Sequence, residues 1–333
     1  MVLTDSKTIR SRVFQSAVMK TEGRLTTLTF HAMGTLCRIS LVETPTTQAN
    51  PYFDKTLNWV ADFEAKFSRF LDNSLINRIN KAAGREWVEI DPETERLLAM
   101  CGEFRFFSRG VFDPTSLPLI RLWNWKANPS TLPSAQQIGD TRELVGWSLV
   151  QLKPGAVFLP RTGMCLDLGG IGKEYAVDFV AQTATQYHIN DVLVDFGQDI
   201  RASGHAPSKP AWHIGLENPQ QPGSCWASLA ITGSAVATSG DYLRHSMING
   251  RRYGHIIDPR TGYPVENECR AVSVVAPSCT LAGILSTTAF ILGPREGYDL
   301  IQQTFGAAGA ILTSHEKIIT PRLHEHLVQL NSR

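Results

Sequence analysis

The densest group of reactive side chains lies between residues 241 and 264. Asp241 to Pro264 reads as a hairpin turning at Asn249-Gly250, a dipeptide that tolerates positive φ at both turn positions; the returning strand ends in His255, Asp258, Arg260 and Thr261. A histidine, a carboxylate and phosphate-type donors around an Asp-Pro-Arg-Thr-Gly turn suit a site that holds an anion. Upstream, Thr238-Ser239-Gly240 is a small polar corner that offers hydroxyls and backbone N–H groups to an anion. On these residues alone, a surface hairpin with a decorated loop is the competing reading.

The run Gly169-Gly-Ile-Gly-Lys173 invites a nucleotide-loop reading. It fails the P-loop pattern, because Glu174 follows Lys173 where Ser or Thr must hold the metal. It also fails the dinucleotide fingerprint, in glycine spacing and in context. What remains is a strand-to-helix turn with free N–H groups and a lysine in the first turn, suited to a pyrophosphate. Glycines needed only for close packing are the plainer alternative. Met33 and Phe70 are apolar residues in polar surroundings. Methionine there reads equally well as core, whereas an aromatic face suits a planar base. Phe112-Asp113 opens a loop ahead of Pro114, where an aspartate is also an ordinary turn former.

The elements that must position these residues follow from periodicity. Residues 1–25 read as a loose leader, and residues 26–333 as a single domain. Leu25 to Glu43 alternates as two strands broken at Gly34. Phe53, Leu57, Val60, Ala61, Glu64 and Phe67 follow helical spacing. Further helices are predicted from Asp72-Asn-Ser74 to Gly84, from Pro92 to Ser108, and from Pro133 to Leu144. Lys153-Pro-Gly155 marks a hairpin turn. A strand ending at Asp167 feeds the glycine run and a helix from Gly172 to Tyr187. Strands at 192–196, 212–217, 228–231, 252–257 and 271–276 precede a helix from Ser278 to Leu292, closed by Gly293. Helices and strands do not alternate one for one, so the expected class is α+β with antiparallel sheets.

At 333 residues, 43% hydrophobic and 19% charged, the chain can bury a sizeable core. A net charge of +1 without basic runs argues against nucleic acid as a partner. The six cysteines show no CxxC or metal-ligand spacing and read as reduced, mostly buried thiols. His324-Glu-His326 lacks the HExxH spacing and reads as part of a solvated terminal helix. No apolar run reaches the roughly 18 residues of a membrane span, and no signal peptide is visible, so a cytoplasmic location is expected.

Several motifs in fixed order resemble the ApbE family, the FAD:protein FMN transferases. They are His31-Ala-Met-Gly-Thr35, Phe67-Ser-Arg-Phe70 with Asp72-Asn-Ser and Asn80, and Phe112-Asp-Pro-Thr115 with Pro118-Leu119 and Leu122-Trp123. Leu166-Asp-Leu-Gly-Gly-Ile-Gly-Lys173, Val194-Asp-Phe-Gly197 with Asp199-Ile200, and Thr238-Ser-Gly240 follow. The series closes with His255-Ile-Ile-Asp-Pro-Arg-Thr-Gly262 and Ala282-Gly-Ile-Leu-Ser-Thr287. The resemblance implies a compact two-lobed, T-fold-like α+β architecture with flavin in the cleft. It implies Mg²⁺-dependent transfer of FMN from FAD to a Ser or Thr of a flavin-accepting redox protein; the oligomeric state, monomer or homodimer, is left open by the sequence.

The resemblance further implies that Met33, Phe70, Phe112, Asp113, Asp167, Lys173, Thr238, Ser239, Gly240 and His255 contact FAD. The Gly170 carbonyl and Thr287 match metal-ligand positions, and His255, Thr287 and Asp258 are the candidates for catalysis. The family carries an aspartate one helical turn before Thr287; this chain has Gly283 there. Asp258 and Glu266 are the nearby carboxylates expected to substitute. Three outcomes stay open: a transferase with a replacement carboxylate, a flavin-binding protein without transferase activity, and an FAD pyrophosphatase.

Overall fold

The computed structural model describes residues 6–124, 132–241, 245–248 and 251–328. Its frame is a nine-stranded antiparallel sheet. In spatial order the strands are Val18–Glu22, Leu25–Ala32, Thr35–Val42, Val192–Phe196, Asp199–Ser203, Ser234–Gly240, Cys269–Ala276, Ala308–Thr313 and Lys317–Ile319. Strand alternation sorts the core into two layers. Ala235 and Ala237 face the helices Gly172–Thr183 and Cys279–Leu292, while Val236 faces the opposite side under the ribbon of Trp212–Glu217 and Cys225–Ile231. Because both faces are covered, Ala308–Thr313 is buried along its whole length.

The predicted Phe53–Phe67 stripe lies on the helix Thr46–Phe67, which begins about two turns earlier than the stripe and runs through Pro51. The expectation of a loose leader over 1–25 fails from residue 6 onward. Ser6–Gln15 is a helix that buries Ile9 and Val13 completely, and Val18–Glu22 is an edge strand of the main sheet. Arg12 of that helix pairs with Glu64, the one carboxylate in the apolar stripe. A short helix with two apolar anchors is a weak signal in sequence, since its stability comes from docking.

A second correction concerns the approach to the glycine run, where no strand forms. Asn80 replaces ladder pairing: its Nδ2 donates to the Leu166 carbonyl (3.0 Å), and the Leu166 N–H donates to its Oδ1 (2.6 Å). The Asp167 N–H donates to the Pro114 carbonyl at 2.7 Å, fixing the glycine run against the Phe112–Thr115 loop. The hairpin at residues 245–254 forms as expected, Ile248 opposite Arg251, with its Asn249-Gly250 turn outside the described residues. Gln151–Lys153 and Ala156–Phe158 pair around the predicted Lys153-Pro-Gly155 turn. Cys225 is exposed and the other five cysteines are buried; all six are free thiols. No described helix is long and apolar enough to cross a membrane.

Candidate active site

The site assembles from the start of the helix Gly172–Thr183 outward. On one side lies the turn before it. Asp167 Oδ1 accepts the Gly169 N–H at 3.0 Å, and Oδ2 lies 3.3 Å from Arg69 Nη1. The Arg69 guanidinium stacks 4.8 Å over the Phe70 ring, which is 53% exposed. Arg69 and Phe70 also line a cleft of about 440 Å³ with Asn80, Lys81, Arg121 and Cys165. Phe112 is buried, and a Cβ added to Gly170 would touch its ring edge at 3.5 Å. Gly170, Asp167 and Phe70 therefore share one surface, with Phe112 beneath it as support.

Asp113 belongs to the scaffold. Its Oδ1 accepts the Thr115 N–H (2.9 Å) and hydroxyl (2.5 Å), and its Oδ2 accepts the Trp147 N–H (3.0 Å). With both oxygens engaged in a buried loop, the turn-former reading describes its geometry. Met33 and Gly34 form the two-residue turn between Leu25–Ala32 and Thr35–Val42, with φ of 50° and 74°. Positive φ at both positions is what such a hairpin demands. The Met33 N–H donates to Glu64 Oε2 at 2.8 Å, so the docked N-terminal helix and this turn share one carboxylate.

On the other side of the helix start, Lys173 forms an ion pair with Asp199 and its Nζ lies 3.5 Å from the Gly197 carbonyl. Its expected partner was a diphosphate; the structure gives it a protein carboxylate. Burial lowers the Lys173 pKa, and Asp199 followed by Glu174 more than offsets that, leaving the ammonium above its ordinary value.

Two antiparallel helices then bring the remaining groups together. Asp178 caps the start of Cys279–Leu292, accepting the Cys279 and Thr280 N–H groups, both at 2.8 Å, and the Thr280 hydroxyl at 2.6 Å. Arg201 Nη1 donates to the same carboxylate at 2.6 Å. One turn earlier on its helix stands Glu174, and one turn later on the facing helix stands Gly283. A Cβ at Gly283 would lie 2.7 Å from Glu174 Cγ and 3.1 Å from its Cδ and Oε1. Glycine in a helix interior costs roughly 0.5–1 kcal/mol relative to alanine; here the Glu174 side chain fills the room a larger residue would take. Burial first, then repulsion from Asp199, holds the Glu174 carboxyl well above the usual carboxylate range, the Lys173 ammonium offsetting part of it.

Thr287 follows on the same face, its hydroxyl 2.8 Å from Ser239 Oγ, which also lies 2.9 Å from Ser286 Oγ. Ser286 donates back to the Gly283 carbonyl at 3.0 Å. Thr238 pairs with Ser273 across the sheet at 2.8 Å, and Gly240 pairs with Ala271. The polar corner is thus bonded to the closing helix.

The Asp258-Pro-Arg-Thr-Gly262 turn is closed internally. Asp258 accepts the Arg260 N–H at 2.9 Å and the guanidinium through Nε and Nη2. The turn docks through the Gly262 carbonyl, which accepts Trp123 Nε1 at 2.8 Å. His255 is half-buried between this turn and the hairpin. Asp258, expected as a spare ligand, has its carboxylate committed to Arg260.

Arg69, Glu174, Asp178, Asp199 and Ser286 were given no role from sequence. The available signal was the acidic pair 174 and 178, spaced i, i+4 on one helix. Among the described residues, no group of three or more His, Cys, Asp or Glu side chains is arranged to hold a metal ion.

A profile of the ApbE family matches residues 33–312. The FAD:protein FMN transferase of Treponema pallidum is 28% identical over 303 residues, covering 86% of this chain and 84% of that protein. One from Klebsiella pneumoniae is 31% identical over 261 residues, 75% of this chain and 81% of its own. Among solved structures, the ApbE protein of Thermotoga maritima superposes with a TM-score of 0.81 at 29% identity, covering 93% of this chain and 98% of that one. The flavin transferase ApbE of Vibrio cholerae gives 0.80 at 23% identity, with 93% and 100% covered. With more than half its length matched, in the same order as the motifs gathered around this site, the chain belongs to the ApbE family.

Proposed function

We propose that this protein transfers FMN from FAD to a Ser or Thr hydroxyl of a redox acceptor protein, releasing AMP. The observation that carries this reading is the convergence at one helix start of an anion-binding turn, a lysine and a hydroxyl-bearing helix face, in a chain related along most of its length to FAD:protein FMN transferases. The acceptor oxygen attacks the phosphorus on the FMN side of the diphosphate, and the bond to the AMP phosphate breaks. A phosphate ester forms, AMP leaves with the bridging oxygen, and the hydroxyl proton passes to a base and then to water. No electrons change hands.

The turn at Gly170, ahead of Gly172–Thr183, orients the diphosphate, the Gly169 N–H being held by Asp167 and the Gly172 N–H by the Leu168 carbonyl. Phe70 supports the adenine at the cleft rim, and Arg69, held by Asp167, brings positive charge to the same surface. Thr287 and the Gly170 carbonyl are the oxygen donors that would hold Mg²⁺. When bound, that ion neutralises charge on the diphosphate oxygens. Thr287 is held in place by Ser239, whose hydroxyl also bonds Ser286, and His255 would bond a phosphoryl oxygen. The test is incubation with FAD, Mg²⁺ and a flavin-accepting domain, followed by intact-mass measurement. A gain of one FMN on the acceptor supports the transferase; AMP and free FMN without acceptor modification would support a pyrophosphatase instead.

A further inference from the structure

We propose that Glu174 is the carboxylate this site offers to a divalent cation, delivered from Gly172–Thr183 into the room above Gly283. The inference rests on the transferase reading and deepens it. Its first support is position. The Glu174 Cδ and Oε1 lie 3.1 Å from where a Gly283 Cβ would stand. A carboxylate therefore sits on the helix face that carries Thr287 one turn later, although residue 283 supplies no side chain.

The second support is an unmet bond. Glu174 is 9% exposed, and its buried Oε2 has no hydrogen-bond partner. The neighbouring carboxylates are engaged: Asp178 by Arg201 and two backbone N–H groups, Asp199 by Lys173, Asp258 by Arg260. A buried carboxylate oxygen left without a donor is costly, and an apolar side chain of similar volume would fill the space without that cost. A hard oxygen with no donor, on a carboxylate that lies over the residue one turn before Thr287, is the kind of ligand a divalent cation takes. Gly283 is then the space that this ligand occupies, and its presence does not mark a site that has lost its carboxylate.

Mn²⁺ serves as the probe, titrated by calorimetry and by electron paramagnetic resonance into the full-length protein, with and without FAD. Glu174→Gln keeps the shape and removes the charge. It is expected to weaken Mn²⁺ binding in the FAD complex by about tenfold or more, with FAD affinity measured in EDTA and the melting temperature both held. Unchanged Mn²⁺ affinity would overturn the inference.

Gly283→Asp alone is expected to lower the melting temperature without tightening Mn²⁺, because Glu174 already fills the space. Tighter Mn²⁺ binding in that single variant would also overturn it. Combined with Glu174→Ala, Gly283→Asp is expected to recover Mn²⁺ affinity lost in Glu174→Ala, a comparison that stands even if Glu174→Gln fails to fold. A wild-type protein that binds FAD but no Mn²⁺ sinks this inference alone. One that binds Mn²⁺ but no FAD sinks the transferase reading and leaves Glu174 to be judged on the flavin-free titration.

Discussion

Lys173 and Asp199 form an ion pair at the foot of the site, with side-chain exposures of 27% and 8%. The lysine thus does two jobs: it compensates a buried carboxylate and brings positive charge to the start of the helix proposed to meet the diphosphate. Lys173→Ala is expected to cost about 3 kcal/mol in urea unfolding, the scale of removing one partner from a buried pair, and to weaken FAD binding as well. Adding Asp199→Asn should restore most of the stability, because no stranded charge remains, while FAD affinity stays low. A Lys173→Ala protein as stable as wild type would show that the pair contributes nothing.

Asp178 holds the two site helices in register, with Cys279 and Thr280 at one end of the contact and Glu174 over Gly283 at the other. Asp178→Ala should lower stability by about 3–5 kcal/mol, since it strands Arg201 and frees the helix N-terminus. Amide exchange should quicken first at residues 279–283. Protection there equal to wild type would place the anchor elsewhere.

Acid sensitivity should have a traceable source in Asp91, the N-cap of Pro92–Phe107, the helix leading into the Phe112 loop. Burial pushes its carboxyl up, but Lys66 and the Thr94 hydroxyl and N–H outweigh that and hold it at about 2. A carboxylate whose pKa is depressed on folding adds stability that is complete above its unfolded value of roughly 4 and is lost as pH falls toward 2. Asp91→Asn should therefore be less stable than wild type at pH 6, with the gap closing between pH 4 and 2. A gap that stays constant across that range would mean the carboxylate charge is irrelevant.

The motifs told which segments meet, because their types and order are local properties that survive in a string of residues. The two-strand break at Gly34, the Ser278-capped helix and the Lys153-Pro-Gly155 turn are each set by a few neighbouring residues. Side-chain partners across the fold were hidden. Lys173 could not announce Asp199, nor Gly283 announce Glu174, since each pair joins elements far apart in sequence. Asp113 shows the limit from the other side: a carboxylate in a cleft motif reads as a ligand contact until Thr115 and Trp147 are seen to take both oxygens. The N-terminal helix was missed because two buried residues, Ile9 and Val13, carry it.

The cleft predicts a preference for the dinucleotide. Phe70 is 53% exposed at its rim, under a guanidinium that Asp167 holds in place, so its ring is presented and not buried in the core. In the proposed pose that face meets the adenine, a group FMN lacks. Wild type should therefore bind FAD more tightly than FMN. Phe70→Ala should weaken FAD by about 1–3 kcal/mol, the range for losing one base–aromatic stack, and leave FMN affinity unchanged. Because the ring is largely solvent-exposed, melting temperature should hardly move, which separates lost contact from lost fold. Calorimetry with both flavins on both proteins decides it. Equal wild-type affinities would remove the adenine from this cleft, and equal losses for FAD and FMN would place Phe70 against the isoalloxazine instead.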